Sequence, residues 1–226
     1  MTIDFRRWPW LLLLIACLAG GLYSWFYFPS AFPILDVDIS MDRTRALQKA
    51  QERARQLELG PEDFRSSARF HQDREVQTFV ELEAGGKDAF RAMMRQDHYQ
   101  AFQWHVRLYE PGETREVQVR FAPDGRFYGF HEKWPEDATG PALSSEEARS
   151  LAESDAREHW NVDLSNYEMI SSGQEEAPSG RVDHTFTYEH TERAIGEGDY
   201  RLRLAVSGNQ LSEVTRYVRV PEGFTR

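Results

Sequence analysis

The chain has 226 residues, a formal net charge of -10 and a single cysteine, Cys17. Removing Asp4, Arg6 and Arg7 leaves 25 basic and 36 acidic residues in the rest of the chain, so that part repels polyanions and nucleic-acid recognition is disfavoured. Because no cysteine follows Cys17, the composition excludes disulfides and cysteine metal sites from the downstream part.

The first predicted element is an apolar helix from Trp8 to Phe28. This run contains no charged residue, His, Asn or Gln, and at about 1.5 Å of rise per residue it matches the roughly 30 Å core of a bilayer. Arg6 and Arg7 precede it, whereas the first charges after it are acidic. The positive-inside bias then places the N-terminus in the cytoplasm and the rest outside. We therefore predict a cytoplasmic tip and single transmembrane helix over residues 1–28.

Two alternatives use the same apolar residues. A cleaved secretory signal would take Leu11 to Leu18 as its apolar region, but the following segment, Leu22 to Phe28, is again aromatic and apolar. A lipoprotein signal is suggested by Leu14-Ile15-Ala16-Cys17, whose cysteine would be lipidated after cleavage, and it meets the same objection. Mass spectrometry that shows an intact N-terminal segment would exclude the lipoprotein.

Residues 29–39 are predicted to form a proline-containing, extended tether. A first α+β unit follows over residues 40–138, beginning with a helix that Ser40 caps and that stops at Gly60-Pro61. A shorter helix is predicted at Lys87 to Gln96. The predicted strands are Phe64 to Phe70, Val76 to Leu82, Phe102 to Tyr109, Glu116 to Phe121 and Phe127 to His131.

A second unit, residues 141–222, repeats this plan. Ser144 and Glu147 have the spacing of a capping box, and an apolar stripe extends that helix to Trp160. The predicted strands are Tyr167 to Ser171, Val182 to His190, Tyr200 to Ser207 and Leu211 to Val220. Corresponding local sequences are Leu57 to Phe64 with Trp160 to Tyr167, Asp124 to Phe127 with Ser207 to Gln210, and Trp134 to Glu136 with Val220 to Glu222.

The predicted fold class is therefore α+β: an N-terminal transmembrane helix followed by two repeated units, each a helix plus an antiparallel sheet. The sequence leaves open whether the two units share one sheet. A helix followed by a small antiparallel sheet with a glycine turn in its late hairpin, present twice, resembles a tandem pair of PepSY-like domains.

Several stretches, in this order after the apolar span, are similar to the extracytoplasmic N-terminal region of certain bacterial CPBP intramembrane metalloproteases, the family that includes CAAX prenyl endopeptidases. They are Trp104 to Tyr109, Phe121 to Arg126, Gly129 to His131, Arg181 to Glu189 and Val220 to Glu222. The resemblance extends from Trp8 to about Pro221. It implies that the apolar helix Trp8 to Phe28 lies in a bacterial cytoplasmic membrane.

In that family the chemistry belongs to a later multi-helix membrane core with a Glu-Glu-x-x-x-Arg motif and further histidines. This sequence lacks the motif, since Arg149 follows Glu146-Glu147 at the wrong spacing, and no catalytic residue can be transferred. The resemblance implies a fragment or truncated relative that is itself non-catalytic and positions or regulates the membrane core, with a polypeptide bound at an exposed strand edge as the expected partner. The alternative is a free-standing single-pass or lipid-anchored binding or sensor protein of the cell envelope.

No catalytic, cofactor-binding or metal-binding residue is predicted in the chain itself. The seven histidines are scattered. His131-Glu132 begins like a zincin motif, but Pro135 stands where its second histidine is needed. His184 and His190 share one face of a predicted strand but lie about 20 Å apart at the rise of a β-strand, too far for one ion.

Other patterns are interpreted as turns and solvated loops. The sequence has no Gly-x-Ser-x-Gly elbow for a nucleophile. The carboxylate pairs Glu136-Asp137 and Glu175-Glu176 are predicted in loops, and Gly85-Gly86 and Gly196 to Gly198 in turns. An envelope enzyme acting through this domain is consequently the least favoured hypothesis.

Overall fold

The computed structural model describes residues 8–31, 34, 37–96 and 99–224. The chain divides into two compact units, 1–37 and 38–226. The first unit contains helix α1, Trp8–Ala31. The second contains, in chain order, α2 (Arg43–Gln56), β1 (Arg65–Gln72), α3 (Arg74–Glu83), α4 (Gly86–Met94), β2 (Phe102–Tyr109), β3 (Glu116–Phe121), β4 (Phe127–Lys133), α5 (Ser145–Trp160), β5 (Tyr167–Glu176), β6 (Val182–Ile195), β7 (Gly198–Ser207) and β8 (Gln210–Arg219).

Helix α1 is apolar all round. Its segment Trp8–Phe28 has a mean hydropathy of 1.9 and is long and apolar enough to cross a membrane, as an anchor or as a signal sequence. The predicted tether begins too early, because α1 continues through Pro29 to Ala31. Pro29 has no N–H to donate, so one main-chain hydrogen bond is lost there, and α1 ends two residues later at Ala31. Arg6, Arg7 and residues 32, 33, 35 and 36 of the tether lie outside the described residues.

The second unit is built on one antiparallel sheet of eight strands in the order β1-β2-β3-β4-β8-β7-β6-β5. In each half of the chain a long helix, α2 or α5, precedes four strands that pair in sequence. The last strands of the halves, β4 and β8, meet through Phe130 opposite Val214 and His131 opposite Glu213. The two predicted units therefore share a single sheet, which the sequence had left open.

Helices α2 and α5 cover the same face of this sheet. Each buries alanines spaced four residues apart, namely Ala46, Ala50 and Ala54 on α2 and Ala148, Ala152 and Ala156 on α5. Residues at this spacing form one helix face, and their small side chains let the helix backbone lie close to the strands. Both helices belong to one hydrophobic core with strand residues such as Val106, Val119, Phe130, Leu204 and Val214.

Three sequence predictions are wrong in this unit. The predicted strand Val76 to Leu82 is helix α3, whose buried residues Val76, Phe79 and Val80 have helical spacing. Its β-forming composition concealed that period, and Asp73 caps the helix by accepting a hydrogen bond from the Val76 amide at 3.1 Å. Helix α2 is capped by Asp42, at 2.8 Å from the Arg45 amide, rather than by Ser40. Glu175-Glu176 ends strand β5 rather than lying in a loop.

Candidate functional site

Strand β5 forms one edge of the sheet. It pairs with β6 on one side, and within the part of the chain that the structure describes no strand pairs with it on the other. The register with β6 shifts between Met169 and Ser171 and then runs regularly to Glu176, opposite Val182. Every residue from Ser171 to Glu176 is exposed. This segment is therefore an accessible edge (the β5 edge, Ser171–Glu176).

Main-chain groups of alternate residues along the β5 edge point away from the sheet. Ala177 donates its N–H to the Arg181 carbonyl at 2.8 Å and so faces β6. Because the N–H and C=O groups of successive strand residues point to opposite sides, Glu175 and Gly173 also face β6. The outward groups then belong to Ser172, Gln174 and Glu176. Such a row of groups is a template on which an extended chain can add as a further strand.

The opposite edge, β1, is partly covered by helix α2. Arg43 Nε donates to the Ala68 carbonyl oxygen at 3.3 Å. Gln51 Nε2 donates to Ser66 Oγ at 2.9 Å. The Arg43 side chain therefore occupies a main-chain acceptor of β1, and the two edges of the sheet are not equivalent.

A cleft of about 460 Å³ lies where the two halves meet, between α2, the C-terminal end of α5, the β3–β4 hairpin and β8. We call it the cationic cleft because its lining includes Lys49, Arg53, Arg126 and Arg216. Asp124 is the carboxylate in that lining, and it pairs with Arg126 at 2.6 Å. The cleft therefore carries a net positive charge within an acidic chain.

Arg53 lines the cationic cleft and contacts two aromatic rings. Its guanidinium carbon lies 4.3 Å from the ring centroid of Phe127 and 5.6 Å from that of Trp160, a cation–π arrangement. Its Nη2 donates to the His159 carbonyl oxygen at 2.9 Å, at the C-terminal end of α5. Its Nε is buried without a hydrogen-bond partner among the described residues. Burial lowers the pKa of Arg53 below its ordinary value.

Two further cations of the cleft hold the β3–β4 hairpin. Lys49 Nζ lies 5.5 Å from the Phe127 ring centroid and donates to the Gly125 carbonyl oxygen at 2.7 Å. Arg216 Nη1 donates to the Tyr128 carbonyl oxygen. The elements that supply these side chains are far apart in sequence, so no local motif could have identified the cleft.

The histidines singled out by sequence do not converge. His131 is exposed on β4, while Glu132 beside it is buried and accepts hydrogen bonds from the Gly60 amide at 2.7 Å and Arg115 Nε at 3.0 Å. His184 Nε2 lies 2.9 Å from the Leu143 carbonyl oxygen, and His190 Nδ1 accepts from the Glu192 amide at 3.3 Å. No group of three His, Cys, Asp or Glu among the described residues is placed to hold a metal ion.

One histidine pair was missed. His71 and His105 lie on the sheet face opposite α2 and α5, with ring centroids 4.5 Å apart. Desolvation by burial, together with Arg120, His71 and Arg69, lowers the pKa of His105 to about 3. In the sequence, Arg69 and His71 are two residues apart, as are Gln103 and His105, so each pair lies on one face of its strand. The pairing of β1 with β2 then places all four side chains on the same face of the sheet.

The described residues thus offer two surfaces suited to binding. The β5 edge presents main-chain donors and acceptors, and the cationic cleft presents guanidinium and ammonium groups. No protein-family model, curated protein or solved structure matches the chain.

Proposed function

We propose that the chain is a membrane-tethered, extracytoplasmic binding domain that takes up an extended polypeptide at the β5 edge. The observation that carries this proposal is the outward row of main-chain groups on Ser172, Gln174 and Glu176, on a strand that is exposed and paired on one side. In strand addition, main-chain hydrogen bonds supply affinity and alternate side chains supply specificity.

The charge of the β5 edge limits which polypeptides can bind to it. Strand β5 carries Glu168, Glu175 and Glu176 and no basic residue. A polypeptide with basic or uncharged side chains complements it, whereas two β5 edges pairing with each other would oppose like charges across the strands. The bound partner is therefore a heterologous polypeptide rather than a second copy of this edge.

We also propose the membrane topology of the chain and the family of proteins to which the domain belongs. Helix α1 spans a bacterial cytoplasmic membrane with the N-terminus inside, and the domain serves a CPBP-type intramembrane metalloprotease by positioning or regulating its core. The similar stretches from Trp104 to Glu222 support this, as does the pair of helix-plus-four-strand halves, which we assign to PepSY-like units. The reading frame downstream of Arg226 tests it. Further apolar spans with Glu-Glu-x-x-x-Arg are expected, and an immediate stop codon would contradict the assignment.

Strand addition is tested with a proline at an outward position. Gln174→Pro removes an outward N–H and places a ring on the open side, while the ladder to β6 uses the alternate residues. A random peptide library displayed on phage is panned against the full chain in maltoside micelles, and an enriched peptide is synthesised. We expect it to bind the wild type and Gln174→Ala equally and Gln174→Pro at least about tenfold more weakly.

The control for folding is the thermal unfolding curve of each variant, which should agree with that of the wild type. Two outcomes contradict the proposal: no peptide is enriched, or the enriched peptide binds correctly folded Gln174→Pro as tightly as the wild type.

A further inference from the structure

Independently of the β5 edge, the structure has a second feature suited to a ligand. We propose that the cationic cleft binds a small-molecule oxyanion, a carboxylate or phosphate group, between Lys49, Arg53 and Arg216. This site would take its ligand from solution rather than from the strand-adding polypeptide, so the two proposals can fail separately.

These three cations lack carboxylate partners among the described residues. Of the ion pairs between described residues, none includes Lys49, Arg53 or Arg216. Asp124, the carboxylate in the cleft lining, pairs with Arg126 instead. Lys49, Arg53 and Arg216 line one cleft without a carboxylate partner, so the cleft has a local excess of positive charge.

The same three cations also have N–H groups that no described residue accepts from. A lysine ammonium has three N–H donors and an arginine guanidinium five. Lys49, Arg53 and Arg216 each donate to one main-chain carbonyl, those of Gly125, His159 and Tyr128. Arg53 Nε is in addition buried and has no hydrogen-bond partner among the described residues. Burying an N–H donor without a partner costs free energy, and an oxyanion that accepts a hydrogen bond from this donor would recover that cost.

A purely structural role accounts for part of this arrangement. Cations near the C-terminal end of a helix interact favourably with its dipole, and Arg53 does so at the end of α5 through the His159 carbonyl. Lys49 and Arg216 contact the β3–β4 hairpin instead. Lys49 and Arg216 therefore bring positive charge to the cleft without contacting that helix end.

The cleft is also preorganised. The aromatic rings of Phe127 and Trp160 hold the Arg53 guanidinium in place, which reduces the entropy lost when a ligand binds. A guanidinium pairs with carboxylate or phosphate through two parallel hydrogen bonds. The volume of about 460 Å³ lies in the range of roughly 300–1,000 Å³ typical of small-molecule sites.

Isothermal titration calorimetry at low salt tests the proposal. The full chain in maltoside micelles, which contain no phosphate, is titrated with inorganic phosphate and, separately, with citrate. We expect saturable binding of at least one probe. Tighter binding of phosphate identifies a phosphate-bearing ligand, and tighter binding of citrate a carboxylate-bearing one.

Two variants localise the binding. Lys49→Gln and Arg216→Gln each remove a positive charge but retain an N–H donor for the carbonyl that the cation holds, and each should weaken binding about tenfold or more. The matched control is Arg45→Gln, an exposed residue of α2 outside the cleft lining, which should leave the affinity within about twofold. Absence of binding by both probes, or binding that Lys49→Gln and Arg216→Gln leave unchanged, would overturn the proposal.

A second readout is available if neither cleft variant folds. The indole N–H resonance of Trp160 in the wild type should shift as the probe saturates the cleft, because that ring lines it. A resonance that does not move while heat of binding is observed would place the ligand elsewhere and overturn the proposal.

Discussion

At the scale of single residues, His105 is a base that the fold keeps neutral. Its ring lies beside that of His71 at an interplanar angle of 32°, and Arg120 and Arg69 are the nearby cations that oppose its protonation. Its Nδ1 is buried without a hydrogen-bond partner among the described residues. Burial is the largest cause of the lowered pKa, so the effect depends on an intact sheet and is absent from the unfolded chain.

Acidification is expected to destabilise the fold through His105. In the unfolded chain the imidazole binds a proton near its ordinary pKa of about 6.5, whereas in the folded chain the pKa is about 3. The unfolded state therefore binds more protons between these values, and stability is lost as the pH falls through that window. From pH 6 to pH 5 the free energy of unfolding should decrease by roughly 1 kcal/mol from this group.

Urea unfolding of the full chain at pH 7, 6 and 5 measures this dependence. His105→Gln should make it shallower, while His131→Gln, at an exposed position of β4, should behave as the wild type. Unchanged pH dependence in His105→Gln would show that the pKa of His105 is not depressed in the folded protein.

At the scale of elements, the junction of β4 with β8 is where the two halves are joined. Its register contains two residue pairs, compared with nine between β7 and β8. Packing reinforces it, because the Phe130 ring on β4 stacks on Trp160 of α5 with centroids 4.1 Å apart. Gly129 precedes this point, and a Cβ there would overlap the main-chain carbonyl oxygen of Val214.

Gly129→Ala should therefore separate β4 from β8 and destabilise the fold. The obstacle is main chain rather than a flexible side chain, so relief requires a backbone shift, and we expect a loss of about 2 kcal/mol or more. Thermal unfolding measures the effect. The matched control is Gly173→Ala on β5, where an added Cβ meets nothing within 4 Å. Equal midpoints for the two variants would mean that the halves do not depend on this close approach.

The elements were predictable where their signal is local. Strands β2 and β3 have the predicted bounds, and α5 begins after its predicted cap, Ser144. Helix α3 was missed because Val76, Phe79 and Val80 are β-forming residues at helical spacing, so composition and period disagreed. The extent of β5 was underestimated because an edge strand exposed on both faces shows no alternation.

The candidate site was only partly predictable from the sequence. A strand edge was expected as the binding surface, but which strand forms it depends on the order of pairing between the halves. The cationic cleft joins Lys49 of α2 to Arg216 of β8. Periodicity reports which face of an element is buried, but it does not report which distant elements meet.

At the scale of the whole molecule, tethering to a membrane requires that helix α1 is not cleaved from the sheet domain. Carbonate extraction of membranes followed by intact-mass measurement tests this attachment. We expect the chain in the membrane fraction at its full mass, because the charge-free run Trp8–Phe28 partitions into the hydrocarbon core. A shortened, extractable product would identify a cleaved signal, and a product beginning at lipidated Cys17 a lipoprotein.

The central claim is that an extended polypeptide adds to the β5 edge, and amide hydrogen exchange of the full chain tests it most directly. In the free protein the amides of Gly173 and Glu175, which face β6, should exchange slowly, and those of Ser172, Gln174 and Glu176 rapidly. Saturation with a selected peptide should slow exchange at those three outward amides. Unchanged exchange there, with protection appearing at another surface, would contradict the account.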